Sequence, residues 1–353
     1  MADLFSVLRK NAPVALVVHN NPDPDGLASA MALRFLLRER GYHPVRICHE
    51  GLVGRAENEA MIQQLKLRVH PTLSLKPARR QQFVLLDCQP RAGNVILPPG
   101  TRATAVIDHH PLRRFTQTVP FFDVRPQYGA CATILFEYLA AAELALPGDL
   151  ATALFYAIAS ETQTLGREGS PEDRKAFRDL LPRVSFRLLS KIQYPALPKA
   201  FVVHLLGALA RAFYYKNITG AILEELPYPD FVAEMADFLL RIQKTSWSIC
   251  LGTHEDVLYV SLRSRRPGAE AGRLIKRIVP RGETAGGHGL SAGAQVRLEK
   301  SDPARLEAVR ESIVRKFLKE LTHAEVRTLT NLVTEEEYPL PGAAAPSAAG
   351  PAS

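Results

Sequence analysis

Four short apolar runs constrain the fold more than any other feature of this chain. Val14 to Val18, Val45 to Cys48, Phe83 to Leu86 and Ala103 to Ile107 are each four or five residues long and mostly apolar, interrupted only by Arg46 and Thr104. Runs this short and this apolar read as strands of a buried parallel sheet. Helix-patterned segments separate or follow them. Ser29 to Arg38 places Ala30, Leu33, Leu36 and Leu37 on one stripe, with Gly41 as its stop, and Glu57 to Leu67, Leu135 to Leu144 and Leu150 to Ala159 read the same way. Strands alternating with helices predict a parallel α/β sheet.

Beyond residue 180 the order changes. Leu181 to Arg211 is helical in pattern but broken by Pro195 and Pro198, which marks a domain junction. A strand at Ile218 to Glu224 precedes an amphipathic helix, Asp230 to Gln243. Two strands, Ser246 to Gly252 and Val257 to Arg263, flank a turn at Thr253 to Asp256, and a helix follows near Ala269 to Ile278. This predicts a smaller α+β domain. The last stretch, Pro339 to Ser353, is rich in Pro, Ala, Gly and Ser and uncharged, and reads as a disordered tail.

Composition removes several classes. With 353 residues, 46% of them apolar, the chain has room for about two domains and is not wholly disordered. Its longest apolar stretches, such as Ala151 to Ala159, fall short of the roughly 20 residues that span a bilayer, so no membrane partner is expected. The four cysteines form no CxxC pair, which leaves no zinc knuckle or thioredoxin-like motif and suits a reducing compartment. Met1 to Lys10 lacks a basic n-region followed by an apolar core, so a cytoplasmic location is the expectation. The net charge of +8 hints at an anionic partner.

The chemistry gathers after the strands. His19 follows the first, with Asp23 and Asp25 within a turn; Asp87 closes the third and Asp108-His109-His110 closes the fourth. In an open parallel sheet ligands collect outside the carboxyl ends of the strands, so these groups converge on one edge. Clustered carboxylates repel unless cations sit between them. Imidazole with carboxylate favours Mn, Zn, Fe or Mg, and a shared carboxylate bridges two metals in a way that suits displacement at phosphorus.

These residues resemble the motifs of the DHH phosphoesterases, in the subgroup with a C-terminal DHHA1 domain. Asp108-His109-His110 is similar to the signature triplet, His19 to Asp25 to the first motif, and Asp87 to the metal-bridging aspartate. Gly286-Gly287-His288-Gly289-Leu290-Ser291-Ala292-Gly293 is similar to the glycine-rich loop of the DHHA1 domain, and Ser261 to Ser264 to the strand that presents an arginine to substrate. The resemblance implies an α/β parallel-sheet DHH catalytic domain over 1–190, a helical linker over 191–215, a smaller α+β DHHA1 substrate-binding domain over 216–330 and a tail over 338–353. It implies two Mn²⁺ ions, with Mg²⁺ or Co²⁺ as substitutes: His19 and Asp23 hold one, Asp25 and His109 the other, and Asp87 bridges. Asp108 orients the histidines or contacts the metals, and His110 stands near the scissile phosphate. Arg263, Gly286, Gly287, His288 and Gly293 would bind substrate, and alternation along the strand aims Arg263 and Arg265 to one side.

Two departures stand out. The fourth motif reads Ser160-Glu161-Thr162, with Glu161 where the family has a metal-ligating aspartate, which changes the reach of the carboxylate by roughly 1.5 Å. Ala285 stands where the family often has another glycine. The activity implied is hydrolysis of short oligoribonucleotides, linear dinucleotides or adenosine 3′,5′-bisphosphate by two-metal hydroxide attack, without a long nucleic-acid track. A single-strand exonuclease, a manganese pyrophosphatase, against which the Gly286 to Gly293 loop argues, and a nucleotide-binding regulator with an impaired metal site are the alternatives. Family members often dimerise, so a homodimer is an expected assembly.

Overall fold

A computed structural model describes residues 2–75, 80–167, 169–298 and 303–340. The chain divides into two compact units, Met1–Ala196 and Leu197–Ser353. The first unit runs α1 (Ala2–Val7), β1 (Val14–Val17), α2 (Pro24–Glu39), β2 (Val45–His49), α3 (Ala56–Gln64), β3 (Val69–Pro71), β4 (Gln82–Leu86), β5 (Ala105–Asp108), β6 (Phe121–Val124), α4 (Cys131–Ala141), α5 (Gly148–Glu161), α6 (Pro171–Leu180) and α7 (Phe186–Gln193). Its six strands pair in parallel in the order β3-β2-β1-β4-β5-β6. Sequence order reverses between β1 and β4, the switch point at which a doubly wound sheet opens a crevice.

The strands are apolar on both faces because both are covered. Val14 and Leu16 of β1, with Val84 and Leu86 of β4, join the large core that includes α2, α4 and α5. Ala15, Val17, Phe83 and Leu85 point the other way into a second cluster with Val106 and Ala103. This is the parallel sheet the four runs predict, extended by two edge strands. β3 and β6 escape the reading because neither is fully buried, so neither is a continuous apolar run. The helix expected from Leu135 begins earlier, at Cys131.

The second unit runs α8 (Lys199–Ala210), β7 (Ala212–Tyr215), β8 (Ile218–Glu225), α9 (Phe231–Leu240), β9 (Trp247–His254), β10 (Val257–Ser264), α10 (Ala271–Ile278), β11 (Thr284–His288), β12 (Ser291–Arg297), α11 (Pro303–Thr322), β13 (Thr328–Asn331) and β14 (Glu337–Pro339). Its sheet is mixed, in the order β11-β12-β10-β9-β8-β7-β13-β14; β8 and β9 pair in parallel and the other pairs are antiparallel. The expected helical linker over 191–215 is therefore only partly helical: Ala212–Tyr215 is a strand of this sheet. The expected tail over 338–353 begins inside β14, where Tyr338 pairs with Leu329; residues 341–353 lie outside the described residues.

The glycine motif is not a loop. Gly286, Gly287 and His288 belong to β11 and Gly293 to β12, and the two strands pair as a hairpin, Gly286 opposite Gly293. A β-carbon on Gly272 of α10 would stand 2.1 Å from the Gly287 carbonyl oxygen. Gly287 itself has φ of +149°, and a β-carbon there would stand 2.4 Å from the Ser291 carbonyl oxygen. Glycine at 272 lets α10 lie directly on the hairpin, and glycine at 287 lets the two strands of the hairpin close on each other.

Candidate metal centre

The carboxyl ends of β1, β4 and β5 bring seven of the expected residues together. His19 follows β1 and directs Nε2 to within 3.3 Å of Asp23 Oδ1 and 3.4 Å of Asp87 Oδ2. His109 Nε2 lies 3.4 Å from Asp87 Oδ1 and 3.7 Å from Asp25 Oδ2. Asp87 stands between the two histidines, one oxygen toward each. One ligand atom from each of His19, Asp23 and Asp87, and one from each of Asp87, Asp108, His109 and His110, lie within 4.8 Å of one another in two groups that share Asp87.

Four of the candidate ligands are held by a partner behind them. His19 Nδ1 faces the Asn20 carbonyl at 2.9 Å and His109 Nδ1 the Tyr128 carbonyl at 3.2 Å. A carbonyl only accepts, so Nδ1 carries the proton in both rings and Nε2 is turned to the centre. Asp23 is the N-cap of α2, accepting from Gly26 N at 3.0 Å. Asp25 accepts from the Cys131 and Ala132 amides, both at 2.7 Å, at the start of α4, whose own N-cap Ala130 has no side chain to offer.

Asp108 is spent on holding its neighbours. Its Oδ1 accepts from the backbone amides of His109 and His110 and from His110 Nδ1 at 2.8 Å, while Oδ2 accepts from Gln89 Nε2 at 2.6 Å. The arrangement favours the orienting role over ligation. His110 is the most open of the three histidines, with 38% of its side chain exposed against 15% for His19 and 5% for His109.

Burial alone would push the three imidazoles down. Asp23 and Asp87 outweigh it at His19, holding that ring well above its ordinary range. Asp87, Asp25 and Glu161 do the same for His109. At His110 burial and the neighbouring His109 are outweighed by Asp108 and Asp87. Burial and the nearby Asp87 raise Asp25, whereas Asp23 and Asp108 are held low against burial by His19 and His110 respectively. Glu161, at the end of α5, is raised by burial and by the charge of Asp23, and also feels His109 and Asp87. The glutamate therefore stands within the field of this cluster.

The donors fit a divalent cation. Asp87 Oδ1 is buried and accepts no hydrogen bond of ordinary geometry, although the nearest imidazole nitrogens are 3.4 and 3.5 Å away. Good N–H···O bonds are shorter, about 2.7–3.2 Å. Spacings of this kind arise when donors surround an ion about 2.0–2.2 Å from each.

Sequence reading missed Gln89 and Asp173. Buried Gln89 joins Asp108 to the loop after the triplet, accepting at Oε1 from Arg113 N at 2.8 Å and Thr116 Oγ1 at 2.7 Å. Asp173 accepts from Gly129 N and Thr133 Oγ1, anchoring the segment that supplies the Tyr128 carbonyl and the α4 amides. Both act here through partners far away in sequence, which a local pattern does not reveal.

The remaining expected residues lie in the second unit. Arg263 is held by its own unit: Nε donates to Asp237 Oδ1 at 2.8 Å, and Nη1 to Ser261 Oγ at 2.8 Å and the Leu262 carbonyl at 3.0 Å. Arg265 lies past the end of β10, so strand alternation does not place it with Arg263. Gly293 pairs with Ser261, and Gly286 with Gly293, across three adjacent strands. The His288 side chain lies outside the described residues.

Among proteins of known sequence, an uncharacterised protein of Methanocaldococcus jannaschii is 29% identical over 331 residues, 93% of this chain and 66% of its own. A probable manganese-dependent inorganic pyrophosphatase of Lactobacillus delbrueckii subsp. bulgaricus is 24% identical over 165 residues, 46% of this chain and 52% of its own. The chain thus spans from about half to just under two thirds of the length of these relatives. Among solved structures, an exopolyphosphatase-related protein from Bacteroides fragilis has the same fold, with a TM-score of 0.64 at 15% identity, covering 91% of this chain and 97% of that one. The DHH family's N-terminal domain matches residues 13–158, the span that contains every candidate ligand described above except Glu161. Over that span the chain is similar to the DHH family's N-terminal domain.

Proposed function

We propose that the chain is a divalent-metal-dependent phosphoesterase acting on short oligoribonucleotides or linear dinucleotides, with adenosine 3′,5′-bisphosphate as a further substrate. The observation that carries this reading is Asp87 set between His19 and His109, one oxygen toward each, with an inner oxygen that accepts no hydrogen bond. His19 and Asp23 would hold one cation, Asp25, His109 and Glu161 the other, with Asp87 between them. When bound, such a pair polarises a phosphoryl group and lowers the pKa of water. The manganese-dependent relatives favour Mn²⁺.

The protein's own part is positional. Asp108 fixes His110 through Nδ1, leaving Nε2 to deliver a proton to the departing oxygen. The raised affinity of that ring for protons suits a donor at neutral pH. In the second unit, Arg263 and the β11–β12 hairpin are the proposed nucleotide contacts, Arg263 exchanging part of its bond to Asp237 for a phosphate oxygen.

The test offers the purified chain, with Mn²⁺, a labelled diribonucleotide, adenosine 3′,5′-bisphosphate, pyrophosphate and long single-stranded DNA. Turnover of the first two above the others is expected. No turnover of any, with nucleotide binding retained, would leave a binding protein; turnover of pyrophosphate alone would redirect the reading to inorganic substrates.

A further inference from the structure

We propose that Phe115 and Arg91 form a nucleobase-stacking platform on the first unit, with Arg113 and Arg114 as phosphate contacts. This rests on the phosphoesterase reading and narrows it to substrates that carry a base. Both platform residues leave the strand ends that supply the metal ligands. Arg91 lies four residues after Asp87, and Phe115 five after His110, spans of at most about 14 and 18 Å.

The Arg91 guanidinium carbon sits 3.9 Å from the centroid of the Phe115 ring. Phe115 keeps 44% of its surface exposed, and Arg91, Arg113 and Arg114 are exposed beside it in sequence. None of the three arginines has an acidic partner among the described residues. An exposed phenylalanine under a guanidinium, flanked by uncompensated positive charge, offers what a nucleotide needs: a π-face for the base and cations for its phosphates. An acidic peptide would use the charge but not the ring.

Gln89 fixes the platform to the site. The buried amide accepts from Arg113 N and Thr116 Oγ1 on either side of Phe115, and donates to Asp108, which in turn holds His110. The loop that presents the ring and the loop that presents the proton donor therefore share one anchor.

The whole chain would be compared with Phe115→Ala, Phe115→Tyr and Arg91→Ala. One readout is steady-state hydrolysis of a 5′-phosphorylated diribonucleotide with Mn²⁺. The other is quenching of a 2-aminopurine-bearing diribonucleotide in EDTA, which reports stacking without turnover. Phe115→Ala should raise KM roughly ten-fold with kcat within two-fold, and lose the quench. Phe115→Tyr should restore both, and Arg91→Ala should show a smaller effect in the same direction. Unchanged KM and quench in Phe115→Ala would overturn the platform while leaving the phosphoesterase reading intact. A wild-type protein that quenches through Phe115 but hydrolyses nothing would sustain the platform and sink the phosphoesterase reading. Phe115-dependent binding of poly-glutamate in place of the dinucleotide would overturn it in favour of an acidic peptide.

Discussion

Replacing Gln89 by alanine should cost the first unit about 3–5 kcal/mol. The magnitude follows from three short hydrogen bonds. The bond to Asp108 Oδ2, at 2.6 Å, goes to a carboxylate held low in pKa, and such charge-assisted bonds contribute about 1.5–3 kcal/mol. The two bonds accepted by Oε1 join a backbone amide and a buried hydroxyl, each worth about 1 kcal/mol, and the truncation leaves all three without this partner, Asp108 and Thr116 in the interior. Gln89→Glu should be comparably harmful for a different reason, because it sets a second carboxylate against Asp108. Urea unfolding followed by far-UV circular dichroism measures the loss. Trp247, the only tryptophan in the chain, sits in β9 of the second unit, so its fluorescence supplies an internal control. A loss under about 1 kcal/mol in Gln89→Ala would refute the reasoning, since it would mean that water or Asp108 itself re-satisfies these groups at little cost.

Asp87→Asn should abolish the rise in melting temperature that Mn²⁺ gives the wild type, while the metal-free protein stays folded, because asparagine tolerates the left-handed φ of +56° at this position; thermal shift against metal concentration checks it. Gly287→Ala should destabilise the second unit by more than about 2 kcal/mol, read from Trp247 fluorescence, since the new methyl meets backbone on the facing strand. Asp123 accepts a two-pronged pair of bonds from Arg125 and a third from Tyr138, which outweigh burial and hold its carboxyl below the usual range. Asp123→Asn should therefore cost about 1–2 kcal/mol at neutral pH. The difference from wild type is full above the ordinary carboxylate pKa and disappears as pH falls through the depressed folded value; parallel urea titrations from pH 7 down to pH 3 measure it.

What could be read from the sequence and what could not divides along one physical line. Candidate site residues that follow a buried strand announce themselves, because a charge placed at the end of an apolar run has little business there except at a site: His19, Asp87 and the Asp108 triplet are visible in this way. The hairpin of the second unit was misread because glycine is a poor strand former, and Gly286 to Gly293 becomes a strand pair only through contacts its own residues do not encode, the pairing with β10 and the approach of α10 at Gly272. Gln89 and Asp173 escape the reading for the same reason, since their bonds at this site reach residues between 19 and 44 positions away. Asp25 is the instructive case. Its role as a candidate ligand was legible, yet its bonds to the amides of α4 span 106 and 107 residues. The local sign of that second role lies at the other end: α4 starts after Gly129-Ala130, with no Ser, Thr, Asp or Asn to cap it. A buried helix must have its first amides satisfied, so an uncapped start requires an acceptor from elsewhere in the chain, and in this fold the same carboxylate that meets that demand also faces His109.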